Sequence, residues 1–229
     1  MSAEAGTLAR DEPTRVVVLS GASASGKSRL LNGVLNISRA SGVLSDMHVA
    51  KRYTTRATRE NESLTVENEF LDRQAFLAAV ADDDIDVSWS RPISPVMHNM
   101  YGFALRHEMR AGGLLVLSAN NYLNWTEIPL LRKLREAGQL IVVRVYASEE
   151  TRAQRLRQRR PPVADPELTF RLNDVPDESL PPADHVIPND PVFQAFAEWD
   201  FARVLTMFRS SLRVKPMLEA ATYEPGGVS

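Results

Sequence analysis

The chain of 229 residues contains no cysteine. That excludes disulfides, thiolate nucleophiles and cysteine-ligated metals together, and it suits a reducing compartment. No apolar run comes near the roughly 20 residues that a bilayer-spanning helix needs. The opening residues, MSAEAGTLARDEPTR, place acids early and carry no apolar stretch, so no signal peptide is expected. A basic excess is also missing, with 27 Lys and Arg against 29 Asp and Glu and a net charge of -2. General nucleic-acid and membrane-surface binders show such an excess, so neither partner is expected. The histidines are few. His48, His98, His107 and His185 form no motif; His107 reads as a helix-surface residue and His185 as strand packing. The expectation is a cytoplasmic protein.

What is present is a 44% hydrophobic composition, enough for one large α/β domain with an inserted flap. Residues 15–20 (RVVVLS) form a β-branched apolar run, the pattern of a strand buried on both faces. Similar runs lie at 114–117 and 140–145, with a weaker one at 185–187. Helical spacing follows at 27–35, 73–80, 104–111, 127–137, 149–160 and 193–208, with Asp72 placed as an N-cap and Gly112 and Gly138 at helix ends. Strands alternating with helices predict a doubly wound parallel sheet. Two segments interrupt the alternation: the polar, charged stretch 51–69, read as an insertion, and 155–166, an arginine-dense helix entering a proline-rich turn, read as a mobile lid. The expected organisation is a flexible leader (1–14), one domain (15–213) with an insertion at about 50–103 and a lid at about 155–172, and a flexible tail (214–229).

Between the first strand and the first helix lies Gly21-Ala22-Ser23-Ala24-Ser25-Gly26-Lys27-Ser28, a full match to G-x-x-x-x-G-K-[ST]. Glycine lets backbone approach phosphate oxygens without a Cβ in the way, while successive N–H groups and the helix N-terminus face the anion. In this P-loop reading Lys27 reaches the β- and γ-phosphates of a nucleotide, and Ser28 ligates Mg²⁺. The strand before and the helix after are the context the motif requires. ATP and Mg²⁺ are the expected cofactors, within an α/β P-loop NTPase fold.

Downstream, residues 51–59 hold the cations Lys51, Arg52, Arg56 and Arg59, and 54–62 read T-T-R-x-x-R-x-x-E. With the P-loop, this pattern resembles the guanylate kinase family over about residues 16–208. The resemblance implies that Arg56 and Arg59 grip the phosphate of an acceptor, with Glu62 closing the motif; guanidinium forks match phosphate and keep their charge. The alternative is a solvated strand salt-bridged to Glu60, Glu62 and Glu67. The resemblance also implies acceptor-site roles for Tyr101 before Gly102, lid roles for Arg155 and Arg159, and phosphate closure by Arg171. It places Asn189-Asp190 near the adenine. Lys27, Arg159 and Arg171 are then the residues acting on the transferred phosphoryl group. An ordinary charged helix face is the competing reading of the lid arginines.

The family's guanine-reading glutamate falls on Ser88, within Asp86-Val87-Ser88-Trp89. A serine lacks the paired acceptors of a carboxylate, and such a loss costs orders of magnitude in discrimination. The family's acceptor-site tyrosine falls on Asn68, and an aspartate after the next strand becomes Asn120. Arg52 adds charge where the family has a small residue. Arg-Tyr before Thr-Thr-Arg, with Ser-Trp later, resembles the ribose 1,5-bisphosphate phosphokinases, although Arg59 is closer to guanylate kinases. The expected partner is therefore a small phosphorylated acceptor, with Arg52, Arg56, Arg59, Glu62, Ser88, Tyr101 and Asn120 lining its site. An anionic acceptor oxygen needs no general base; were a hydroxyl the acceptor, Asp86 or Glu62 would be the candidates. Asp82-Asp83-Asp84 reads as a solvated turn.

Overall fold

A computed structural model describes residues 14–58, 68–93, 97–159, 165–172 and 180–220. The first half runs β1 (Arg15–Ser20), α1 (Lys27–Ser41), β2 (Met47–Val49), β3 (Arg52–Thr54), β4 (Asn68–Phe70), α2 (Arg73–Ala81), β5 (Val87–Pro92), β6 (His98–Phe103) and α3 (Leu105–Glu108). Then follow β7 (Leu114–Ser118), α4 (Pro129–Glu136), β8 (Leu140–Tyr146), α5 (Glu149–Arg157), α6 (Asp165–Leu172), β9 (His185–Pro188) and α7 (Gln194–Ala220).

Every residue of β1 is buried, and β1 pairs in parallel with β7 on one side and β8 on the other. The five-stranded sheet has the order β2-β7-β1-β8-β9. Strand alternation splits its side chains between two layers. Val17, Leu19, Val116, Val143 and Val145 pack with α1 and α7, while Val16, Val18, Leu115, Leu117 and Val142 pack with α4 and the second sheet. Each fully buried Val or Leu contributes about 1.5–3 kcal/mol. The sheet is doubly wound, as the alternation of runs predicts.

The segment read as a polar insertion is itself a small sheet, β4-β3-β6-β5. Gly102 of β6 lies where an added Cβ would come within 2.4 Å of Ile85 Cγ2, and Phe76 of α2 is fully buried against the same face. Asp72 caps α2, accepting from Ala75 N–H at 2.7 Å. The aspartates 82–84 form the turn after α2. Asp86 accepts from the backbone N–H groups of Leu105 (2.6 Å) and Arg106 (2.7 Å), which fixes α3 to the small sheet.

Several elements differ from expectation. The helix read at 104–111 is the single turn α3 followed by a 3₁₀ turn at Met109–Ala111. β2 is a three-residue edge strand whose length leaves no periodicity to read. His185, read as strand packing, is exposed, on a strand that among the described residues pairs with β8 alone. Helix α7, read at 193–208, spans Gln194–Ala220.

Candidate functional site

The phosphate loop turns on positive φ at Ala24 (63°) and Gly26 (98°). Only glycine takes the second without strain, and the space is closed as well, since a Cβ on Gly26 would lie 2.1 Å from Asn189 Nδ2. Lys27 Nζ donates to the loop carbonyls of Gly21 (2.6 Å) and Ala22 (3.1 Å), which holds the ammonium over the loop. Ser28 is exposed in the first turn of α1, and that turn has no acid and no side-chain cap. The helix end therefore presents unopposed positive character.

A brace from the far end of the chain supports the loop from behind. Asn189, 2% exposed, donates through Nδ2 to Ser25 O at 2.7 Å. Arg155 donates through Nη1 to Ala24 O and Ser25 O (3.2 Å each) and through Nη2 to Asn189 O (2.6 Å). Burial lowers the Arg155 pKa, with Arg29 adding to this and Asp190 opposing it. Asp190 Oδ1 accepts from Ser148 N–H (3.0 Å) and Oγ–H (2.7 Å), locking the N-cap of α5 to the loop after β9. Burial alone would push the Asp190 carboxyl up, but hydrogen bonds from Thr151 and Ser148, with the Arg155 charge, hold it below its ordinary value. Arg155 and Asn189, expected at the nucleotide, both donate to the main chain of the loop. Arg159 follows α5, and Arg171 lies in α6, each half-buried.

The second half of the site is one face of the small sheet. Register pairs Arg52 with Phe103, Thr54 with Tyr101, Tyr101 with Trp89, and Phe103 with Val87. These residues, with Arg91 two positions beyond Trp89, therefore share a face. Trp89 stacks on Tyr101 (5.6 Å, 19°) and tilts against Phe103 (5.4 Å). Arg52 lies over the Tyr101 ring at 5.9 Å. It is held by Asn68 Oδ1, through Nε at 2.9 Å and Nη2 at 2.7 Å, and by Ser118 O through Nη1 at 2.9 Å. Trp89 Nε1–H donates to Asn120 Oδ1 at 3.0 Å, and Arg91 lies 5.6 Å from the Tyr122 ring. Arg56 covers the Phe70 ring at 5.1 Å. Through Ser118 and Asn120 this face meets the carboxyl end of β7, next to β1 and the phosphate loop.

Ser88 is not among them. It pairs with Gly102 on the opposite face and is exposed. The residue expected to read the acceptor thus stands apart from Trp89, Tyr101 and Arg52. Asp86, the candidate base for a hydroxyl acceptor, has its side chain 2% exposed and both oxygens taken by α3. Arg59 and Glu62 lie outside the described residues. Sequence reading passed over Arg91 and Tyr122. The one available signal was that Arg91, two residues beyond Trp89 in a strand, must share its face.

The carboxyl end of β7 offers Ser118, Ala119, Asn120 and Asn121 and no carboxylate, and no cluster of acids or histidines among the described residues could hold a metal alone. The exposed Ser28 hydroxyl in the first turn of α1 could hold a Mg²⁺ that arrives with phosphate oxygens.

No protein family matches the chain by sequence, and no curated protein does. Among solved structures, guanylate kinase from Anaplasma phagocytophilum superposes with a TM-score of 0.55 at 18% identity, covering 86% of this chain and 87% of that one. The chain has the P-loop NTPase fold. A gluconokinase from Sinorhizobium meliloti 1021 matches at 21% identity over 89% of this chain and 97% of that one, with a TM-score of 0.41, too low to bear on the P-loop NTPase assignment. At these identities the likeness concerns architecture alone.

Proposed function

We propose that the protein is an ATP-dependent phosphotransferase that moves the γ-phosphoryl group to a small phosphorylated acceptor, with ribose 1,5-bisphosphate, giving phosphoribosyl pyrophosphate, as the leading substrate. The observation that carries this reading is Arg52, clamped between Asn68 and the main chain of Ser118, which brings a cationic, aromatic face to the strand end beside the phosphate loop. Both halves of the cleft then favour phosphate. An anionic acceptor oxygen attacks Pγ, the bond from Pγ to the β-phosphate bridging oxygen breaks, and ADP leaves with the electron pair. No proton has to leave the acceptor, which agrees with Asp86 being committed to α3. Lys27 neutralises charge on the donor side, and Arg52 and Arg56 orient the acceptor. Mg²⁺ bound with the nucleotide would supply further charge neutralisation, with Ser28 as its protein ligand.

A nucleoside monophosphate kinase is the second reading, favoured by the Thr54-to-Glu62 pattern and the shared fold. Against GMP, the described inner face carries no carboxylate for a guanine edge, and Asn120 Oδ1 is already taken by Trp89 and Tyr122.

An ADP-release screen over sugar phosphates, phosphonates and nucleoside monophosphates decides between the two. Turnover is expected with ribose 1,5-bisphosphate, with phosphoribosyl pyrophosphate as product. Lys27→Ala is expected to lower kcat by about 10²–10³-fold. ATP hydrolysis without transfer to any acceptor would sink the proposal.

A further inference from the structure

Helix α7 has two apolar faces. Ala197, Phe201, Val204, Leu205 and Phe208 pack against the central sheet. On the outside a second stripe stands in solvent: Val192 (81% exposed), Phe196 (71%), Trp199 (67%) and Met207 (61%). Phe196, Trp199 and Met207, spaced by three and eight residues, fall on one side of α7 at the helical period, and Val192 stands in the turn just before the helix. Phe193 is also exposed beside them. Between α7 and β9 this stripe borders a groove of about 350 Å³, floored by Ile187 and Pro188.

Isolated exposed apolar residues need no explanation, but a continuous patch of this size does. Three rings of about 150–250 Å² each, partly covered, with the flanking Val192 and Met207, leave on the order of 600 Å² of apolar surface outside. A stable interface takes about 800 Å² from each partner. The charges at the groove are balanced rather than of one sign, with Arg203 Nη2 2.7 Å from Asp200 Oδ1 within the same stripe. A surface with one cation and one anion side by side is complementary to a rotated copy of itself, since a two-fold axis sets Arg203 against the second Asp200 and the reverse. The near-neutral net charge of -2 adds little repulsion between copies. β9 is also an edge strand, which proteins tend to cover.

We propose that the protein forms a homodimer in which the α7 stripe and the β9 edge of one copy pack on the same surface of a second copy. The stripe begins at Val192, three residues after Asn189, so the interface and the brace of the phosphate loop share one turn. This inference is independent of the phosphotransferase reading.

Sedimentation equilibrium of the full chain tests it. At micromolar concentration the mass is expected to be twice the 25.5 kDa of one chain. Phe196→Glu with Trp199→Glu should raise the dimer Kd about tenfold or more, with the helical circular-dichroism signal unchanged. Should that variant fail to fold, exposed charges carry the test. Asp200→Arg and Arg203→Asp chains should each dimerise weakly alone and re-form a dimer when mixed. A mass of one chain at every concentration would overturn the proposal and leave the stripe to another occupant, such as residues 1–13. A dimer that survives the glutamate pair, or charge variants that leave Kd unchanged alone and mixed, would equally overturn it.

Discussion

Arg52 is worth more than its charge. Three donors of one planar guanidinium meet Asn68 Oδ1 twice and Ser118 O once, while the plane lies over Tyr101. Lysine keeps the charge but has no fork to meet these partners together. Arg52→Lys is therefore expected to raise the acceptor KM roughly tenfold while leaving the ATP KM unchanged, a loss of about 1.4 kcal/mol in acceptor binding. Steady-state kinetics with each substrate varied in turn checks it. An equal rise in both KM values would mean that Arg52 supports the whole cleft rather than the acceptor.

Among the elements, the small sheet and its helices stand on a few polar contacts. Asp86 is the clearest, joining β5 to α3 by accepting two backbone N–H groups. Asp86→Ala leaves both donors without this acceptor and is expected to cost about 1–2 kcal/mol, read as a lower urea midpoint. Were Asp86 a catalytic base instead, kcat would collapse with stability unchanged. The two expectations are opposite, so one variant separates them. At this scale much was legible. β1, the phosphate loop and α1 follow from a buried apolar run, a glycine turn and a helical repeat, all local. The polar stretch at 51–69 was recognisable as an interruption, but three-residue strands such as β3 and β4 leave too short a pattern for pairing to be read.

For the whole molecule, two aspartates tie distant elements together and are expected to contribute to the response to acid. Asp184 receives a bidentate pair from Arg135 at 2.5 Å and 2.5 Å and the Val142 N–H at 2.7 Å, joining α4 to β8. Burial opposes ionisation there, but these hydrogen bonds and the Arg135 charge hold its pKa below the ordinary value. Asp190 is lowered in the same direction. A carboxyl whose pKa is lower folded than unfolded adds stability above the unfolded value, about 3.9, and loses it as pH falls through the folded value. Tm is therefore expected to be insensitive to these groups between about pH 7 and pH 5 and to fall below about pH 4. Asp184→Asn should lower Tm at neutral pH and make the acid limb shallower, as thermal melts across pH would read. A limb of unchanged slope would place the acid sensitivity elsewhere.

What the sequence determined alone was the cradle and its frame, because the contacts that build them are close along the chain: Lys27 reaches carbonyls five and six residues away. The tertiary structure decided which side chains share a face and what each arginine touches. Ser88 and Trp89 are neighbours in sequence, yet pairing sends one toward α2's side of the sheet and the other toward Asn120. The family resemblance puts Asn189 and Arg155 at a nucleotide. The loop residues they hold, Ala24 and Ser25, lie 130 to 164 residues away, a separation only the path of the chain can close.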